Sequence, residues 1–302
     1  MLPNLVLIPR PRSLRMVIYH ALRLAWVGLL PLVILSACAG PKPAKQQAAK
    51  LVPYADEQVP PFARAPYEPF ARGDVVAIAM REWRLFGQPV DDDPPGTRPP
   101  PAPEDKPERW PGFWQRVGEY WWLGVNTDSR ESGWTGKHGT GGIEFPARED
   151  GLYAWSAGFV SYVMRIAGAG PRFPYSGNHS DYIDLAKQER LNPSGAWVIQ
   201  AMRPEEYAPV PGDLICVGRG RSASLRYDDL PAGKFPAHCD FVVETRVPGQ
   251  ISVIGGNVDD AVTMKHVPVT TDGKLATPEG VVLDTRYPWM VVLKLQVGAP
   301  VS

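Results

Sequence analysis

Apolar positions recur with a helical period in three separate segments of the first half of the chain and with a period of two beyond residue 209. In "DVVAIAMREWRLF", Val75, Val76, Ala79, Trp83 and Phe86 fall on one helical face, with Asp74 as the N-cap and Gly87 as the stop. A second helix is expected from about Gly112 to Trp122, its stripe being Phe113, Trp114, Val117, Tyr120 and Trp121. A third opens at Ser156 and continues through Phe159, Val160, Val163 and Ala167. After residue 209 come "GDLICVG", "HCDFVVETR", "QISVIGGN", "AVTMKHVPV" and "WMVVLKLQV", separated by Pro-Gly and Asp-Gly turns. Helices first and a run of antiparallel strands afterwards predict an α+β fold, the helices packed on a sheet of about five strands.

The remaining stretches lack either period. Arg10, Arg12, Arg15 and Arg23 precede an apolar run from Leu24 to Ala37, the make-up of a signal peptide; Met16 is an alternative start. The run ends in "LSAC", which resembles the bacterial lipobox, so Cys38 is expected to be lipidated and residues 1–37 removed. Ala39 is not an inner-membrane retention aspartate. The expected location is therefore the cell envelope, at the outer membrane facing the periplasm if the cell is Gram-negative. Residues 38–70, rich in Ala, Pro and Lys, read as a disordered tether, leaving residues 71–298 as the folded domain. Inside that domain, residues 88–111 are so proline-rich that a solvated, polyproline-like insert is expected. Asp91, Asp92 and Asp93 do not form a calcium loop, because Pro95 and Ala102 occupy the fifth and twelfth positions. Net charge is zero without a basic block, which argues against nucleic acid as a partner. With Cys38 modified, Cys216 and Cys239 remain, and a disulfide and two separate buried thiols are both open.

Ser156 shares the buried face of its helix at the first turn, where the helix dipole favours developing negative charge. It suits a nucleophile; an N-cap serine is the bland alternative. His238 opens a strand with Asp240 on the same face and Cys239 on the other. With Pro248-Gly249 as the hairpin turn, Asp240 faces Asn257, and Asn257 is a diagonal neighbour of His238 able to fix its tautomer. "AWSAG" approaches the G-x-S-x-G elbow, but the strands that follow lack intervening helices. "GWTGKHGTGG" matches neither a dinucleotide fingerprint nor a P-loop, and a zinc site from His179, His238 and Asp240 has no supporting spacing, so no cofactor or metal is expected.

"WSAGFVSYVMRIAGA", "FPYS", "VPGDLICV" and "HCDFVVE" together resemble the NlpC-type and CHAP cysteine peptidases and amidases of the papain-like class. Laid over that pattern, Ser156 falls on the nucleophile, His238 on the base and Asn257 on the orienting polar residue. His179, Asp240 and Tyr153 are further groove candidates. Over residues 72 to 265 the chain also resembles an uncharacterised bacterial family, domain of unknown function 2272, through Trp83, Phe86-Gly87, Tyr120-Trp121, "HSDYI", "GDLIC", "HCDFVV" and "GGN". The resemblance implies a papain-like hydrolase acting on amide or peptide bonds of peptidoglycan peptides. Serine in place of cysteine departs from it, since a hydroxyl ionises far less readily than a thiol. Two expectations follow: a Ser-His-Asn hydrolase, or an inactive relative that binds cell-wall peptide or an envelope protein.

Overall fold

The structure, a computed structural model, describes residues 69–297 except 127, 276–278, 280 and 282–283, and of Asp150 only the backbone. Cys38 and the segments expected to be signal peptide and, nearly all of it, tether lie outside the described residues. Among those described, no helix is long and apolar enough to cross a membrane.

Four α-helices precede the sheet: α1 (Arg72–Leu85), α2 (Phe113–Gly124), α3 (Ser156–Ile166) and α4 (His179–Leu191). α1 begins two residues before Asp74. Ala71 caps it without a side-chain bond, and Asp74 lies in the first turn, where its charge meets the helix dipole. Its inner face buries Val75 and Ala79 but also Glu82, which is fully enclosed. Arg116 reaches Glu82 with Nε at 2.8 Å and Nη2 at 2.5 Å, and the Tyr120 hydroxyl donates to it at 2.8 Å. A buried charge is tolerated when partnered this fully, and the cluster ties α1 to α2. α2 and α3 cross where Gly124 allows it, for a Cβ there would sit 2.5 Å from the Gly158 carbonyl oxygen.

The sheet has six strands rather than the expected five: β1 (Ile199–Met202), β2 (Leu214–Gly218), β3 (Ala237–Glu244), β4 (Gln250–Val258), β5 (Ala261–Pro268) and β6 (Trp289–Leu295). They run in the order β1-β6-β2-β3-β4-β5, with every neighbouring pair antiparallel. β1 is the addition; its four residues are too short to show a period. Alternation divides the sheet into two faces. Cys216, Cys239, Phe241 and Ile254 join the core under the helices. Ile215, Val217, Val242, Val253 and Trp289 form a smaller cluster on the other face.

The proline-rich insert is not simply solvated. The Met264 N–H donates to the Pro89 carbonyl at 3.0 Å and the Asp91 N–H to the Met264 carbonyl at 2.9 Å, so the start of the insert pairs along the open edge of β5. Asp92 then accepts from the His266 N–H at 2.7 Å. Prolines fit there because an added edge segment leaves its outer N–H side unpaired.

Cys216 and Cys239 face each other across β2 and β3 and are joined by a disulfide that encloses a sequence separation of 23 residues. Closing a loop of that size is worth about 3 kcal/mol, mainly by restricting the unfolded chain. Replacing both with alanine is expected to lower the urea-unfolding free energy by about that amount; unchanged stability would contradict the assignment.

Candidate active site

Ser156 is the first residue of α3, whose first intrahelical bond runs from the Phe159 N–H to the Trp155 carbonyl at 2.9 Å. The N–H groups of Ser156, Ala157 and Gly158 therefore stand outside the helical ladder at the positive end of the helix. The approach to Ser156 is fixed by a buried clamp. The Trp155 indole N–H donates to Glu108 Oε2 at 2.6 Å, and Lys137 Nζ donates to the Tyr153 carbonyl at 2.9 Å while lying 3.6 Å from Glu108. Burial outweighs Lys137 and raises the Glu108 carboxyl to about 7.

The Ser156 hydroxyl lies 2.6 Å from His179 Nε2, not against His238. His179 is the first residue of α4, and its Nδ1 is bonded to the Tyr182 hydroxyl one turn along the same helix. The expected Ser156–His238 pairing fails because of sheet alternation. His238 and Asp240 share the face of Ile215, Val217 and Val242, whereas Cys239 and Phe241 are the residues turned toward α3. His238 nonetheless comes close at the start of its strand, its ring centroid 5.5 Å from that of His179.

His238 Nε2 is 2.8 Å from Asp240 Oδ1. The carboxylate accepts only, so Nε2 carries the proton and Nδ1 the lone pair. His238 Nδ1 is buried without a hydrogen-bond partner among the described residues. Lys265 Nζ lies 2.6 Å from Asp240 Oδ2, an ion pair whose angle falls short of a hydrogen bond. Asp240 is fully buried; Lys265 first and then His238 overcome the burial and hold its carboxyl far below the usual range. Gly255 makes the dyad possible, because a Cβ there would sit 1.8 Å from Asp240 Oδ1 and 2.9 Å from His238 Nε2. Its neighbour Gly256 serves the opposite face, where a Cβ would lie 2.6 Å from that of Phe159.

Asn257 does not orient His238. β3 and β4 pair as Phe241↔Ile254 and Val242↔Val253, displaced by two residues from the expected register, so Gly255 rather than Asn257 approaches Asp240. Asn257 itself has φ 57° beside a register shift, a left-handed conformation that asparagine accepts more readily than most residues. The Tyr153 ring stacks on Phe145 at 4.6 Å and meets Trp134 edge-on at 5.1 Å, while its carbonyl belongs to the clamp before Ser156. His179 and Asp240 are thus central, and Tyr182 and Lys265, which the motifs do not mark, join them. Lys265 left one signal, a charge in "AVTMKHVPV" on the same face of the strand as Val267. Among the described residues no group of three or more His, Cys, Asp or Glu has the arrangement of a metal site.

The family model described as an uncharacterized protein conserved in bacteria, DUF2272, matches residues 108–295. The chain belongs to this family. The DUF2272 match starts later than residue 72 and leaves α1 outside it, but it takes in Glu108, Ser156, His179, His238, Asp240, Lys265 and all six strands. No curated protein and no solved structure matches the chain.

Both imidazoles of this DUF2272 site are neutral at pH 7. Burial lowers His238 from 6.5 to about 4, Asp240 notwithstanding, and burial followed by the nearby His238 takes His179 well below 6.5. Between pH 6.5 and 4 the unfolded chain binds a proton that folded His238 refuses, so stability falls as pH falls through that window. The loss attributable to His238 is about 3 kcal/mol. Urea unfolding at pH 7 and pH 4 should show a smaller pH-linked loss in His238→Gln by about that amount; an unchanged pH dependence would contradict the assignment.

Proposed function

We propose that Ser156 is the nucleophile of an acyl-transfer hydrolase and His179 its general base. The observation that carries this reading is the 2.6 Å contact between the Ser156 hydroxyl and His179 Nε2 at the N-terminus of α3. With Nδ1–H donated to the Tyr182 oxygen, the Nε2 lone pair of neutral His179 faces the hydroxyl proton. As Ser156 Oγ bonds to a carbonyl carbon, its proton passes to Nε2. The N–H groups at the start of α3 face the developing oxyanion, and the proton then goes to the leaving amine. Water completes the cycle by the same steps in reverse, releasing the acid and restoring Ser156. The charge of Asp240 favours imidazolium at His179 while it forms, and Lys265 keeps Asp240 ionised.

The finer reading is of a papain-like domain, related to the NlpC and CHAP types, in a lipoprotein held in the cell envelope through Cys38. The substrates would be amide or peptide bonds of peptidoglycan peptides. The motifs from "WSAGFV" to "HCDFVV" and the signal-like N-terminus support it, with His179 taking the part that the motif pattern gives to His238. This rests on resemblance and location, whereas the acyl-transfer chemistry rests on the site. A second reading, an inactive domain that binds cell-wall peptide or an envelope protein, is favoured by one observation. An imidazole as far below 6.5 as His179 is a weak acceptor for a serine proton.

A fluorophosphonate probe separates the two. Ser156 of the active form should be labelled, with labelling absent in Ser156→Ala and slowed by about a hundredfold or more in His179→Ala. Because His179 stays neutral in acid, the rate should hold level from pH 8 to below pH 6. Absence of labelling in the unmodified protein, with thiol reactivity restored in Ser156→Cys, would sink the hydrolase reading in favour of the binding one. Muropeptide release from purified sacculi tests the substrate class.

A further inference from the structure

The β2–β3 connection puts a cation on the strand face that carries His238. Val217 pairs with His238 and Gly218 with Ala237, and the Arg219 N–H extends the ladder by donating to the Pro236 carbonyl at 2.9 Å. Arg219 keeps an extended backbone, φ −118° and ψ 154°, so alternation carries its side chain to the sheet face shared by Val217, His238 and Asp240. Its carbonyl accepts from the Ser222 N–H at 2.9 Å, and Gly218 permits that tight turn, since a Cβ there would meet the Ser222 carbonyl oxygen at 1.9 Å. The side chain therefore rises from a fixed base.

Its surroundings are unlike those of the structural arginines. Arg72 is paired with Asp213, Arg116 with Glu82, Arg203 with Asp228 and Arg286 with Asp284. Arg219 is exposed and has no acidic partner among the described residues. The His238 ring on that face lies 5.5 Å, centroid to centroid, from the ring of His179, and the charge of Arg219 disfavours protonation of both. Among the described residues the one carboxylate bonded to either ring, Asp240, is already engaged by His238 and Lys265. A free guanidinium on the sheet face that carries His238 and Asp240 is suited to a carboxylate brought by a ligand, which it would meet with two parallel N–H donors.

We propose that Arg219 is the recognition point for a free carboxylate carried by the substrate close to the bond that Ser156 attacks. The substrate class is then acyl peptides bearing an unblocked carboxylate on the leaving amino acid. The proposal rests on the hydrolase reading of Ser156, and it adds a selectivity that the reading alone does not contain.

The test is binding of N-acetyl-alanyl-alanine and of its carboxamide to the full chain in detergent, measured by calorimetry. Ser156→Ala is used throughout so that neither ligand turns over. With Arg219 present, the carboxylate should bind about tenfold more tightly than the carboxamide, the effect of one charge-assisted contact. Arg219→Ala should bring the ratio near one, and Arg219→Lys should keep part of it. A ratio near one with Arg219 present, a preference that survives Arg219→Ala, or no binding of either ligand would each overturn the proposal. Fluorophosphonate labelling of the unmodified chain reports on the hydrolase reading separately. Labelling without carboxylate preference removes Arg219 alone, and preference without labelling removes the nucleophile.

Discussion

Asp240 is a carboxylate with no solvent contact, and the site is built around the need to keep it charged. An unpaired charge at that depth would be lost to protonation. Two groups prevent this: Lys265 on the edge-side strand, and the ring of His238 two residues away on its own strand. Room for the carboxylate exists only because Gly255 has no side chain. In return the charge fixes one tautomer of His238 and lends negative potential to His179, which is buried and otherwise resists protonation. The Ser156 contact is thus one end of an arrangement whose anchor is the Asp240–Lys265 pair.

Burial has opposite effects on the two halves of this arrangement. It lowers the basicity of His179 at rest, which slows proton removal from a hydroxyl, and it strengthens every electrostatic interaction that would stabilise the imidazolium once formed. Serine chemistry at this site would depend on the second effect exceeding the first when a substrate excludes water. The aromatic clamp around Trp155 and Glu108 adds rigidity at the point where Ser156 leaves the preceding loop.

Much of the fold was legible in the sequence because it follows from periodicity. The three amphipathic segments are α1, α2 and α3, and the five alternating runs are strands of the sheet. Ser156 stood out as a polar residue on an apolar face. His179 could not be read in the same way, because α4 buries His179, Ser180, Asp184, Lys187 and Glu189 along with its apolar residues and so shows no clean stripe. The β3–β4 register escaped for a different reason. A shift of two residues preserves which side chains share a face, so the hydrophobic pattern does not detect it and only the local bond geometry decides. Attachment of the insert to β5 was hidden because prolines announce extended backbone without saying what lies beside it.

In the proposed hydrolase, neutral His179 presents its Nε2 lone pair to Ser156 while His238 presents its proton to Asp240. Long-range nitrogen–proton correlation spectra of ring-labelled histidines at pH 7 read both tautomers directly. His179 should be protonated on Nδ1 and His238 on Nε2, with neither ring cationic. His179 found with its proton on Nε2, donating to the hydroxyl it is supposed to deprotonate, would contradict it.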